Sequence, residues 1–316
     1  MKEKIRVAVL MGGISPEYDV SLRSGETVLN NLNKDKYDVL PVSIGKDGEW
    51  EIPPKNLKIF ADIAFIAMHG KYGEDGTVQD ILDTVRMPYT GSAALPSALG
   101  MNKIFSQKLF NMHGLNTPEY MVVSKNEKVN PQDFEFPSPL VVKPAYEGSS
   151  IGVSIVRTSD ELITALEKAF SFDREVIIQK YIPGQEITVS IIEDEDGNLF
   201  ALTPLEIIPT SGQFFDYSSK YTPGGSEEIL ARIHNMKIDF AKEIAKKTHE
   251  IIGASGMSRT DMILSDDDRF YVLEINTIPG MTNESLLPKA AKLSGYEMHE
   301  VLDRIVHSAL RRHNLL

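Results

Sequence analysis

The chain has 316 residues, 42% of them hydrophobic and 25% charged, which is ordinary for a globular protein with room for two or three domains. A net charge of −12 argues against nucleic acid as the main partner, because a phosphate backbone needs a basic surface. The absence of cysteine excludes disulfides and thiol chemistry and fits a reducing, cytoplasmic setting, and no apolar run approaches a membrane span.

MKEKIRVAVLMGG reads as a first strand, Arg6 to Met11, closed by Gly12-Gly13, rather than as a targeting segment. Ser15-Pro16 suits a helix start with proline at the first helical position, and Leu22, Gly25, Leu29 and Leu32 give that helix a packing face. Val39–Ile44 and Ile63–Met68 read as further strands, and Thr77–Val85 as an amphipathic helix. Alternating strands and helices over residues 1–100 imply a parallel sheet whose ligands gather at the carboxyl ends of its strands. GGISPEYDVS, HGKYGEDG and PYTGS are the loops at those ends. Glu17 there is either a favourable charge at a helix N-terminus or an anion holding a substrate ammonium, and His69 is either solvated or a substrate contact.

Composition changes near residue 101, giving a central unit over 101–185 and a C-terminal one over 186–316. Asn102–His113 is a helix closed by Gly114, and Pro139–Pro144 is a strand that ends on Lys143. The following loop, AYEGSSIG, offers tight turns, serine hydroxyls including Ser149 and Ser150, and exposed N–H groups to phosphate oxygens, though hairpin tips share that composition. Ser159 suits the cap of the next helix. In the strand VIIQKYI, Lys180 could pair with phosphate, while Gln179 and the backbone of Tyr181 and Ile182 could read an adenine edge. The aromatic, glycine-rich stretch 212–226 reads as a lid, with Lys220 and Tyr221 facing inward.

Two strands near the end carry the strongest chemistry. Ser258–Leu264 and Tyr271–Asn276 flank the tip Ser265–Arg269 and form a hairpin. Alternation puts Arg259 and Asp261 on one face of the first, and Glu274 and Asn276 on one face of the second, about 7 Å apart along the strand. Two carboxylates, an amide oxygen and a guanidinium converging there suit a magnesium–phosphate site.

Taken in order, GGISPEYDVSLRSG, HGKYGEDGTVQ, PYTGS, VVKPAYEGSSIGVS, FFDYSSKY, SRTDMIL and LEINTIPGMTNESLLPK resemble the D-alanine–D-alanine ligases of the ATP-grasp superfamily. The resemblance covers nearly the whole chain and implies an α/β fold, α+β in part, of three domains with ATP held between the central and C-terminal sheets. It implies ligation of two D-alanine molecules through an acyl phosphate, for cell-wall precursor synthesis. The alternatives are a sister ligase that makes D-alanyl-D-lactate or D-alanyl-D-serine, or another ATP-grasp amino-acid ligase; Tyr221 speaks against the lactate-forming type. By the same resemblance, Asp261, Glu274 and Asn276 would hold two Mg²⁺ ions, with Mn²⁺ as a substitute. Lys103, Lys143, Ser150, Gln179, Lys180, Tyr181, Ile182, Glu186, Phe214 and Lys220 would surround the nucleotide. Glu17, linked through Ser149 to Tyr221, would hold the first substrate's ammonium, with His69 nearby. Arg259 and the Gly280 N–H would stabilise the oxyanion, and Ser285 with the Leu286 N–H would take the second carboxylate. Homodimerisation is usual among such relatives. Three positions depart from the family pattern: Gln179 replaces a usual glutamate, Asn102 a usual aspartate and Asp80 a common glycine.

Overall fold

In the computed structural model the described residues are 4–125, 127, 129, 137–209 and 226–315. The N-terminal part runs β1 (Ile5–Gly12), α1 (Tyr18–Asn31), β2 (Tyr37–Ile44), α2 (Leu57–Phe60), β3 (Ile63–Ile66), α3 (Thr77–Thr84) and α4 (Ala94–Met101). Its strands form a parallel sheet in the order β2-β1-β3, as the alternation of elements predicts. Helix α1 begins two residues later than Ser15-Pro16 implies, because those residues form a turn in which Ser15 Oγ accepts from the Glu17 N–H at 3.0 Å. Of the expected face, Gly25 and Leu32 are buried and Leu22 and Leu29 half-buried, while Ser21, Ser24 and Val28 complete the side turned inward. Gly25 lies so close to Met11 that a Cβ would stand 2.6 Å from its sulfur, so the helix can approach the sheet only without a side chain there.

Helix α5 (Lys103–Met112) leads to a four-stranded sheet of β4 (Tyr120–Ser124), β5 (Leu140–Pro144), β6 (Ser154–Val156) and β7 (Glu175–Lys180), ordered β4-β7-β5-β6, with α6 (Ser159–Phe170) packed on it. Thr158, not Ser159, caps α6: its hydroxyl accepts from the Glu161 N–H, and the Glu161 side chain returns to the Thr158 backbone. The reciprocal pairing needs threonine and glutamate three positions apart, which Ser159 cannot supply.

The six-stranded sheet comprises β8 (Gly184–Glu193), β9 (Leu199–Ala201), β10 (Leu205–Pro209), β11 (Ser226–Leu230), β12 (Met257–Ser265) and β13 (Phe270–Asn276). Its order is β11-β10-β8-β12-β13, with β9 beside β8. Helix α7 (Asn235–Ile252) packs on one face, where Ile187, Val189, Ile191, Met262 and Val272 form a core with Phe110 of α5. On the other face one apolar core runs without a break from the first sheet through Ile192 and Met257 to α8 (Leu286–Leu293) and α9 (Met298–Arg312). The four-stranded sheet keeps a core of its own around Val142, Leu162 and Ile178.

Ile191 is fully buried at the centre of the six-stranded sheet, with its side chain on the α7 side. Ile191→Ala should lower stability by about 2–5 kcal/mol through lost burial and a cavity, read as a fall in urea midpoint with an unchanged m-value.

Candidate active site

The β12–β13 ladder pairs Arg259 with Asn276 and Asp261 with Glu274, then Met262 with Val272, so Leu273 is skipped. Directly opposed residues share a face. The four polar groups singled out above therefore converge on one surface. Arg259 holds Asp261 in a bidentate pair, Nε to Oδ1 at 2.9 Å and Nη2 to Oδ2 at 2.8 Å, and Thr188 donates to Oδ1 at 2.6 Å. Burial opposes the charge on Arg259, but Asp261, with Glu274 and Glu74, outweighs it and keeps the guanidinium protonated. Lys103 Nζ lies 3.2 Å from Glu274 Oε2, and Asn276 Oδ1 accepts from the Ile278 N–H at 2.9 Å. Among the described residues no group of three or more His, Cys, Asp or Glu is placed to hold a metal. Two carboxylates and an amide oxygen on one face nevertheless fit a hard divalent ion that completes its shell with water and phosphate oxygens.

Two cavities flank this surface. One of ≈ 310 Å³, between the four- and six-stranded sheets, is lined by Lys143, Ser150, Gln179, Lys180, Tyr181, Ile182, Glu186 and Asp261. The other, of ≈ 990 Å³, is lined by Glu17, His69, Ser149, Arg259, Asn276, Gly280, Ser285 and Leu286. Lys103 and Glu274 line both. The residues assigned from sequence to nucleotide and to substrates thus separate into adjoining chambers. Phe214, Lys220 and Tyr221 lie outside the described residues; Pro209, which precedes residues 210–225, lines the first cavity and Ser226, which follows them, the second.

The loop after β5 is not a plain hairpin tip. Ser149 and Ser150 adopt left-handed φ values of 50° and 57°, and the Ser149 hydroxyl donates to Glu17 Oε1. Such backbone persists only where surrounding contacts fix it. A second contact, Lys71 Nζ to Glu147 Oε1, ties the same loop to the HGKYGEDG loop after β3. Leu286 opens α8, where a first-turn backbone N–H and the helix dipole suit a carboxylate.

The D-ala D-ala ligase C-terminus family matches residues 109–307, and the D-ala D-ala ligase N-terminus family matches residues 6–60 and 51–92. The chain belongs to the D-alanine–D-alanine ligase family. It is 44% identical over 315 residues to the D-alanine–D-alanine ligase of Syntrophobacter fumaroxidans, covering 98% of each chain. The ATP complex of the Bacillus anthracis D-alanine–D-alanine ligase superposes with a TM-score of 0.83 at 36% identity, covering 98% of this chain and 99% of that one. VanG, a D-Ala:D-Ser ligase from Enterococcus faecalis, superposes with a TM-score of 0.86 at 31% identity, covering 97% of this chain and 100% of that one. The fold is therefore the ATP-grasp fold of these ligases.

Several residues of this ligase's site escape a sequence reading. Glu74 accepts from the Gly70 N–H at 2.9 Å and lies 3.5 Å from His69 Nδ1. His69 Nε2 in turn lies 2.7 Å from Ser24 Oγ, which accepts from the Met281 N–H at 3.2 Å. The buried serines of α1 thus tie the HGKYGEDG loop to the strand-end loop that carries Gly280. A serine at helical spacing gives no sign of this, although its place on the apolar face was a clue. One departure from the family pattern, at Asn102, also finds a local role. Asn102 Oδ1 caps α5, accepting from the N–H groups of Ile104 at 3.0 Å and Phe105 at 3.2 Å, which an uncharged amide does as well as a carboxylate.

Burial holds the Glu74 carboxyl above the usual glutamate range, opposed by His69 and reinforced by the Glu17 carboxylate. Between its unfolded and folded pKa values the native state binds the extra proton, so this group's contribution to stability is present below that window and is lost as pH rises through it. Wild type minus Glu74→Gln, compared by urea unfolding across acid to neutral pH, should show a stability difference that declines as pH rises.

Proposed function

We propose that this chain joins two D-alanine molecules into D-alanyl-D-alanine, using ATP. The observation that carries this reading is the meeting of the two cavities at Lys103 and Glu274, which lets a phosphoryl group pass from one chamber to a carboxylate in the other. In the first step a carboxylate oxygen of one D-alanine attacks the γ-phosphorus, the bond to the β-phosphate oxygen breaks, and ADP leaves. The amine of the second D-alanine, having lost a proton, then attacks the acyl carbon, and inorganic phosphate leaves with the C–O bonding pair.

Positioning and charge neutralisation dominate phosphoryl transfer. Lys103, Lys143 and Lys180 with Ser150 would line the phosphates. Gln179, Tyr181 and Ile182 would meet the base, and Glu186 the ribose. Two Mg²⁺ or Mn²⁺ ions held by Asp261, Glu274 and Asn276 would neutralise charge on the transferring group. In the larger cavity, Glu17 would bind the first ammonium, Arg259 and the Gly280 N–H the oxyanion, and Ser285 and the Leu286 N–H the second carboxylate. By the resemblance, Phe214 and Lys220 would serve the nucleotide and Tyr221 the first substrate; all three lie outside the described residues. The reading divides the chain into units of residues 1–100, 101–185 and 186–316, working as a cytoplasmic homodimer. Among the described residues no helix is long and apolar enough to cross a membrane.

The reading is tested by supplying ATP, Mg²⁺ and D-alanine, D-serine or D-lactate, following phosphate release and product mass together. D-alanine alone should give phosphate and the dipeptide mass; no phosphate release, or a product formed only with D-lactate, would refute it. Glu274→Gln should lower kcat by at least about 100-fold, the scale of losing a group that stabilises transition-state charge. It should leave the thermal midpoint near the wild-type value and weaken Mn²⁺ binding measured by electron paramagnetic resonance.

A further inference from the structure

We infer that Gln107, a buried residue of α5, sets the base preference of the first cavity by fixing which end of the Gln179 amide faces it, an inference that rests on the nucleotide reading above. A glutamine amide has a donor end and an acceptor end, and which one points where is decided by its hydrogen-bond partners. Here the polarity is anchored at a group that can only accept. Gln107 Nε2 lies 3.3 Å from the Leu273 carbonyl oxygen, so that end of Gln107 is the NH₂. Its Oε1 then faces Gln179, whose Nε2 donates to it at 3.0 Å. Gln179 is left with its carbonyl oxygen, which accepts no hydrogen bond among the described residues, and the residue lines the cavity. Gln107 is fully buried and Gln179 is 2% exposed, so bulk water does not compete to turn either amide.

The anchor comes from the backbone of the candidate metal strand, at the residue the β12–β13 ladder skips. An oriented acceptor favours a base edge that presents an amine, as adenine does at C6. It sets lone pairs against lone pairs for a 6-oxo purine such as hypoxanthine. A glutamine free to turn by 180° would serve both, so selectivity resides in the pair rather than in Gln179 alone.

The test compares kcat/KM for ATP and ITP at saturating D-alanine in the full-length protein. Wild type should prefer ATP by about tenfold or more, the scale of inverting one buried hydrogen bond. Gln107→Met, similar in length but unable to hold the amide, should erase most of that preference while the KM for D-alanine stays unchanged. Gln179→Glu should keep the preference, because a carboxylate accepts in either orientation. Adding Gln107→Met to Gln179→Glu should then change the ratio no further. Gln107→Glu still accepts from Gln179 Nε2 and should retain the wild-type ratio, which keeps the test open if the methionine variant does not fold. An unchanged ratio in Gln107→Met, an equal loss in both backgrounds, or a relaxed ratio in Gln107→Glu would each overturn the inference. No ATP turnover by the wild type would instead overturn the nucleotide reading itself, and this inference with it.

Discussion

A single skipped residue in the β12–β13 ladder governs the rest of the site. Strict alternation from Phe270 would put Val272, Glu274 and Asn276 on one face, burying a carboxylate in the apolar core beside α7. Because the ladder passes over Leu273, Phe270, Val272 and Ile275 all face that core, and Glu274 and Asn276 turn outward to meet Asp261 and Arg259. The sequence carries the slip openly, in the change of phase between Val272 and Ile275. Burying Glu274 on the core side without a partner would cost several kcal/mol or force it to be neutral. The bulge removes that conflict and aims the carboxylate at both cavities.

Each acidic group at the junction already has a cationic or hydroxyl partner. Asp261 is held by Arg259 and Thr188, Glu274 by Lys103, and Glu17 by Ser149. These contacts offset part of the desolvation penalty of the carboxylates lining the cleft and hold them in place. Under the proposed function, a cation or an ammonium arriving there would exchange partners rather than create new order. That is preorganisation in the sense that matters for charge developing at a transition state.

Much of this arrangement was legible from the chain. The hairpin, the parallel first sheet and the residues lining each cavity follow from period-2 patterns, turn residues and a full-length resemblance. What escaped shares a physical cause. Ser24 and Gln107 act through partners distant in sequence, and a polar residue on a helix carries no local mark of the group it will meet; Glu74 instead bonds within its own loop, to Gly70 and beside His69, in a turn geometry that composition does not display. Thr158 was missed for a different reason, since a reciprocal cap is recognised by its glutamate three positions later and not by the nearest serine. The stretch 212–226 reads as a lid from its composition alone, and Phe214, Lys220 and Tyr221 lie outside the described residues.

The apolar core shared by the first sheet and the last two helices also bears on how the chain is made. Val7, Leu10, Phe65 and Ile66 belong to the same core as Val301, Leu302, Ile305 and Val306, near the opposite end of the chain. Tyr37 and Lys36 bond Asp303, and Arg312 donates to the carbonyls of Tyr89 and Gly91. During synthesis the N-terminal sheet leaves the ribosome long before the helices that cover it. The nascent chain must therefore carry an uncovered apolar flank through most of translation, and contacts between residues so far apart in sequence close late. The four-stranded sheet, with a core drawn only from neighbouring segments, can consolidate first, although it is encoded second.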